Sequence, residues 1–439
     1  RDYYASRGLG DVYKRQKLAY EGKEDDIVKS IEAGNVSMTT GSSLIRGSTA
    51  LFGIKAKLQF GKLTATALVS QQNSESKTVS RRGGAQTPEF TVNADEYDQN
   101  RHYFLAHFFR DNYDQFASRL PYVSSGVKIT RIEVWVTNKS GKYEQARNFV
   151  GFMDLGENSH LASDYWVPNT SQANPSNSSN NLLSVIKNEY PSARNINTVT
   201  QALEPLSAYG ITGGRDYEKV ESARLLAETE YTLNSTLGYI SIKSSLNADE
   251  VLAVAYEYTY NGQVYQVGEF SGDITTTDQS LYLKMLKSTT TSPYLPMWDL
   301  MMKNVYSLGG YQIQKNKFKL NIKYLSDTTG TKINYLPVPG LNNQSLLQVM
   351  NLDRIDSNED SNPDGFFDFI DGYTILPSTG KIIFPVVEPF GEHLARKINN
   401  PALAQQYVYQ ELYDSTLVVA RQYADKNLSL IHISEPTRR

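Results

Sequence analysis

Residues 51–70 read LFGIKAKLQFGKLTATALVS. Over 51–60, Phe52, Ile54, Ala56, Leu58 and Phe60 alternate with Gly53, Lys55, Lys57 and Gln59. After Gly61-Lys62 the alternation resumes, with Leu63, Ala65, Ala67 and Val69 set against Thr64, Thr66 and Ser70, and Leu68 breaking it once. A period of two predicts a hairpin of two long strands with one apolar face. Two architectures write this pattern: a soluble sheet packed on a core, and a transmembrane barrel hairpin with lipid outside and a polar lumen inside. Alternation alone favours the soluble sheet, which is far commoner.

The rest of the chain is also β in character. Residues 127–136 and 147–155 read as strands, with Ile132, Val134 and Val136 on one face. The stretch 251–271, VLAVAYEYTYNGQVYQVGEFS, holds the strongest turn signal, Asn261-Gly262, because both central residues of a type I′ turn need positive φ. That turn would pair strands carrying Tyr256, Tyr258 and Tyr260 with one carrying Tyr265, as a cross-strand ladder. Phe318, Leu320, Ile322 and Tyr324 alternate against Lys317, Lys319, Asn321 and Lys323. Short helices are expected over 101–120, ending before Pro121, after Pro296, and over QELYDSTLVVARQYA near the C-terminus. NTSQANPSNSSNN, 169–181, reads as a low-complexity loop between packing units.

The two ends read differently. SRGLGDVYKRQ and LSLIHISEPTR are what a transposase sequencing adapter and its reverse complement encode, so 1–16 and 428–439 are expected to be artefact and are set aside from fold reasoning. The expected organisation is then 17–92, barrel-type hairpin and polar loop; 93–165, a soluble α+β insert; 166–214, an Asn/Ser-rich linker; 215–310, a second β-rich unit with the Asn-Gly hairpin; and 311–427, strands, an acidic loop and a terminal helix.

Composition narrows function. The formal net charge is −3, and the set-aside ends hold more bases than acids, so no basic nucleic-acid footprint is present. There is no cysteine, which removes disulfides, thiolate metal sites and a cysteine nucleophile. No run approaches the roughly eighteen apolar residues of a membrane-spanning helix, although barrel strands need only about ten alternating residues.

No catalytic constellation stands above background. Four histidines lie between the two ends: His102, His107, His160 and His393. His102 and His107 are not at helical i, i+4 spacing, and there is no H-E-x-x-H or G-x-S-x-G. YGITGGR (209–215) lacks the lysine of a phosphate cradle, and EPFGEH (388–393) reads as a solvated turn. One acidic stretch, DSNEDSNPDGFFDFIDG (356–372), has the alternating oxygen spacing of a calcium loop in Asp356, Asn358 and Asp360, continued by Asp364 and Asp368. Ser361 and Asn362 stand where an EF-hand would carry its turn glycine, and GFFDF replaces the exiting helix. The alternative is a self-bonded turn in which Asp and Asn accept from their own backbone.

Long collinear stretches resemble one family. GNVSMTTGSSLIRGSTALFGIKAKLQFGKLTATALVSQQNSESK (34–77), NADEYDQNRHYFLAHFFRDNYDQF (93–116), LNADEVLAVAYEYTYNGQVYQVGEFS (246–271), PDGFFDFIDGYTI (363–375) and YQELYDSTLVVARQYADKN (409–427) are similar to SprA, also called Sov, the outer-membrane translocon of type IX secretion in Bacteroidota. The resemblance implies a β-dominant fragment, with short helices, of a very large antiparallel outer-membrane β-barrel carrying inserted soluble, sandwich-like β-rich units. It implies passage of folded client proteins to the cell surface, and gliding motility in some relatives, with no catalytic residues. It also implies partners: secreted clients, a PorV-like shuttle barrel, a periplasmic plug protein and outer-membrane lipid. On this reading the 51–70 hairpin becomes a barrel hairpin, with Lys55, Lys57, Gln59, Thr64 and Thr66 facing the lumen. A secreted or surface-anchored β-sandwich adhesin with a calcium loop is the alternative, and calcium is then its one cofactor.

Overall fold

A computed structural model describes residues 17–23, 26–36, 51–61, 63–70, 89–141, 143, 145–274, 276–326, 330–426 and 428–434. The chain divides into two compact units, 1–84 and 85–439.

The first unit is a four-stranded antiparallel meander, β1 (Lys17–Glu21), β2 (Val28–Val36), β3 (Leu51–Phe60) and β4 (Leu63–Ser70), in sequence order. The expected hairpin is present. Phe60 pairs with Leu63 across the two-residue turn, where Gly61 takes φ 63°. The register puts Ile54 beside Ala33, and Ala56 beside Ile31 and Ala67, so one apolar face runs across β2, β3 and β4.

The second unit is built on a small closed barrel. Its strands are β5 (Val127–Val136), β6 (Arg147–Phe152), β7 (Tyr217–Leu225), β8 (Leu252–Tyr260), β9 (Gln263–Val267) and β10 (Leu281–Lys287). The ring runs β8, β10, β6, β7, β5 and back to β8, with β9 extending the far end of β8. All neighbours are antiparallel except β6 and β10, which are parallel. The expected type I′ turn joins β8 to β9, with Asn261 at φ 49° and Gly262 at φ 78°. Tyr258 and Tyr265 pair across it and their rings stack at 5.2 Å, which is the expected ladder. A bulge at Thr130 shifts the parity of β5, so that Val127 and Ile129 join Val134 and Val136 in one core.

Strand β10, LYLKMLK, is buried along its whole length because both of its faces are covered. Leu281, Leu283 and Met285 belong to the barrel core with Phe149, Leu252 and Val254. Tyr282 belongs to a second layer with Val150, Phe152 and Tyr217. That layer corrects the expected linker at 166–214. Helices Leu182–Glu189 and Val199–Leu203 bury Leu182, Ile186, Val199 and Leu203 against the barrel wall. The Asn/Ser-rich loop is packed rather than loose. Ser179 is fully buried, and the Asn180 amide donates to the carbonyls of Asp154 and Glu157. Polar composition misleads here because each short side chain finds a backbone partner.

The expected helix over 101–120 is replaced by a strand, His102–Phe104, and two helical turns, His107–Asp111 and Tyr113–Phe116. Three consecutive buried residues suit a strand covered on both faces, and this one pairs with Tyr239–Ile242. After Pro296 a 3-10 turn (Pro296–Leu300) precedes a short strand (Val305–Ser307). A third core, holding Tyr306, Leu320, Ile322, Tyr324, Phe384 and Leu412, organises the C-terminal part. Strand Lys319–Leu325 alternates as expected, with Leu320, Ile322 and Tyr324 inward. The segment Leu428–Ser434, inside the region read as adapter-encoded, pairs with that strand and with Glu89–Val92.

Candidate functional site

Three polar arrangements involve the acidic loop and the buried histidines His107 and His102. The first is the acidic loop. Asp356 Oδ1 accepts from the backbone N–H groups of Asn358 (2.8 Å) and Asp360 (3.1 Å), and Asp364 Oδ1 accepts from Phe366 N (3.0 Å). These are Asx turns. Asp368 is buried and accepts from Arg354 N at 2.7 Å and Ile355 N at 3.4 Å. Asp353, which sequence reasoning passed over, is buried too and accepts from Asp364 N (3.0 Å) and Gly365 N (3.1 Å). Burial, with Asp353 and Asp364 close by, pushes Asp368 up to about 6. Asp356, Asn358, Asp360, Asp364 and Asp368 thus share one loop without forming a ligand shell. Among the described residues no group of three or more His, Asp or Glu is placed to hold a metal ion.

The second arrangement is a buried charge cluster outside the barrel wall. Glu157 Oε1 lies 2.9 Å from Lys284 Nζ on β10 and 3.1 Å from His107 Nδ1, and all three side chains are nearly inaccessible. The Lys284 ammonium also donates to Met153 O. His107 Nε2 donates to Pro296 O at 2.8 Å, while Nδ1 lies beside Glu157 as a charge contact without hydrogen-bond geometry. Burial opposes both charges, but the pairings outweigh it. Lys284 and His107 hold Glu157 at about 2, and Glu157 raises His107 above its ordinary value. The His107 ring stacks on His160 at 4.7 Å, and His160 pairs with Asp111 at 2.9 Å. A lysine in the middle of an all-buried strand was the one sequence signal for this cluster, since such a charge needs a partner.

The third arrangement aligns Ser241, His102 and Asp98. His102 Nδ1 is 2.7 Å from Ser241 Oγ, and Nε2 is 2.9 Å from Asp98 Oδ2. The distances match a hydrolytic relay, but Ser241 is buried on a strand paired to that of His102. Asp98 is also committed to Lys381 at 2.7 Å. Burial keeps His102 below its ordinary value, while His102 and Lys381 overcome burial to hold Asp98 at about 2. The trio ties three segments together and offers no nucleophile to solvent. His393 is likewise buried, with Nε2 donating to Val349 O at 2.7 Å. Glu388, from the 388–393 turn, pairs with Arg110 at 2.8 Å.

In the first unit the apolar sheet face is open. Ile54 is 55 % exposed, Phe60 53 % and Leu63 66 %, and Tyr20 and Ile31 are exposed beside them. The opposite face is polar, with Lys55, Lys57, Gln59, Thr64 and Thr66, and Lys55 meets Glu32 at 3.9 Å. No helix among the described residues is long and apolar enough to cross a membrane, which says nothing of a β-barrel.

Comparison with known proteins finds no match among curated proteins. The SprA_N family model, described as a motility related/secretion protein, matches residues 12–249, more than half of the chain. With that match spanning the meander, the first strands of the barrel and His102, His107 and Glu157, the chain belongs to the SprA_N family of motility-related and secretion proteins.

Proposed function

We propose that the chain forms part of the protein-conducting outer-membrane channel of type IX secretion and passes folded client proteins to the cell surface. The observation that carries this reading is the amphipathic meander β1–β4. Its apolar row, Ile31, Ile54, Phe60 and Leu63, is exposed, while its other face is lined by Lys55, Lys57, Gln59, Thr64 and Thr66. A soluble sheet buries its apolar face, whereas a barrel sheet turns it to lipid and keeps the polar face for the lumen. Family membership supports secretion and motility and does not favour the adhesin. On this reading function is passage and gating rather than covalent chemistry. Clients, a PorV-like shuttle barrel and a periplasmic plug are the partners, and the second unit is a periplasmic or surface-exposed insert.

Fractionation of the full-length gene product tests the proposal. A protein that stays with the outer membrane until detergent is added, and that migrates differently before and after boiling, supports it. Release into detergent-free buffer, with or without chelator, would sink it.

A further inference from the structure

Leu428–Ser434 lies where the sequence is expected to be adapter-encoded, yet it sits as an internal strand of a sheet. It runs antiparallel to Lys319–Leu325 on one side, with Leu320 opposite Ile433 and Ile322 opposite Ile431. It runs antiparallel to Glu89–Val92 on the other, with Val92 opposite Ile431 and Glu89 opposite Ser434. Among the described residues Glu89–Val92 has no other strand neighbour. The two walls are therefore parallel to each other and stand two strand spacings apart, about 10 Å. A strand expected to be foreign to the protein fills the gap between them.

The walls have anchors of their own. Leu320, Ile322 and Tyr324 are buried in the third core. Beyond Val92, the Tyr306 phenol donates to Ala94 O at 2.9 Å, and Tyr97 is bridged to Tyr306. The approach to the gap is fixed as well. Arg421 opens the 3-10 segment Arg421–Lys426, and its guanidinium donates to Asp95 Oδ2 at 2.7 Å. The Tyr409 phenol donates to Ala420 O at 2.7 Å. Whatever is joined after residue 427 is thus delivered to the mouth of the gap, where a short tether gives a high effective concentration.

Residues paired directly across strands share a face. An occupant therefore needs apolar residues opposite Leu320, Ile322 and Tyr324, and tolerates polar ones opposite Lys319, Asn321 and Lys323. The rest of the hold is backbone hydrogen bonding, which does not depend on side-chain identity. Such a seat accepts a sequence that is not its own.

We propose that the gap between Glu89–Val92 and Lys319–Leu325 is a strand-accepting seat, and that its natural occupant is the segment that follows residue 427 in the gene product. That segment is an extended strand, free of proline, with apolar residues at the three positions paired to Leu320, Ile322 and Tyr324. The inference rests on 428–439 being adapter-encoded and is independent of the channel reading.

The test compares three forms of the chain that differ only over 428–439: the sequence as it stands, a Gly/Ser tract, and the gene's own continuation. Hydrogen exchange is measured at 89–92 and 319–325, with β10 as the internal control. The Gly/Ser form should exchange about tenfold faster or more at both walls, as a locally opened edge does, with β10 unchanged. The gene's own continuation should restore the protection. If the Gly/Ser form does not fold, recovery of a folded chain by the continuation supports the proposal equally. Three results overturn it: a proline or a charge at any of the three paired positions of the continuation, walls that stay protected in the Gly/Ser form, or a continuation that leaves them as open as Gly/Ser does.

Discussion

Asp353 and Asp368 each accept backbone N–H groups from the other's side of the acidic loop: Asp353 from Asp364 and Gly365, Asp368 from Arg354 and Ile355. The two carboxylates close the loop like a pair of crossed clasps. Asp353→Ala or Asp368→Ala should each cost about 1.5–3 kcal/mol, the worth of hydrogen bonds to a charged group. Hydrogen exchange locates the effect. Asp368→Ala should deprotect 354–355, and Asp353→Ala should deprotect 364–365.

The same clasp has a pH signature. Burial raises Asp368 from the usual 3.8 to about 6, so the folded state holds this proton more tightly than the unfolded state. Its contribution to stability is complete below pH 3.8 and is lost as pH rises through about 6. Asp368→Asn should flatten that part of a Tm-against-pH curve relative to the parent. An unchanged slope would remove Asp368 as its cause.

Calcium should leave the loop's stability as it is. The carboxylates of Asp356, Asp364 and Asp368 already accept from backbone N–H groups, and no ligand shell surrounds a common point. Titration to about 1 mM calcium, the weak end for extracellular sites, should not move Tm. An upward shift that Asp356→Ala abolishes would establish the loop as a calcium site.

The cluster of His107, Glu157 and Lys284 should dominate the response to charge removal. Glu157→Gln strands two buried cations and should cost about 3–5 kcal/mol. The Glu157 contribution is complete above pH 4.5 and lost as pH falls toward about 2. The His107 contribution is complete below pH 6.5 and lost as pH rises through its raised value. The cluster is therefore fully formed between about pH 4.5 and 6.5. Since His102 and His393 shift the opposite way, the clean measurement is the difference between the parent and His107→Gln, which should shrink above pH 6.5.

Two glycines separate conformational from steric cost. Gly262 has φ 78° and open space where a Cβ would sit, so Gly262→Ala should cost about 1 kcal/mol. Gly238 has φ 68°, and its Cβ would lie 2.3 Å from the Phe109 ring. Gly238→Ala should cost well over that, because Phe109 is fully buried in the barrel core and cannot yield. Chemical denaturation of both variants checks the order.

Much of the strand layout was legible because alternation and turn chemistry are local. The 51–70 hairpin, the Asn261-Gly262 turn, β5 and the Lys319–Leu325 strand all follow from period two and positive φ. The covering layer over 182–209 was hidden by the polar run before it, which looks like a spacer until Asn180 and Ser179 are seen to satisfy buried backbone. His102–Phe104 was hidden by an amphipathic pattern whose strand partner lies far along the chain. The charge cluster joins three distant segments, so no window of sequence contains it. In the acidic loop Asp356 through Asp368 stood out by spacing, while Asp353 sits just outside the stretch that draws the eye.

The ring closes late in the chain. Two of its five strands, β8 and β10, lie beyond residue 249, where the family match ends. A truncation made at that point would strip β5 of β8 along its whole length and β6 of β10. The remaining strands would present raw backbone edges and the barrel's apolar filling to water. Anyone dividing this protein for expression should cut outside the ring, because the unit that matches by sequence is smaller than the unit that can fold.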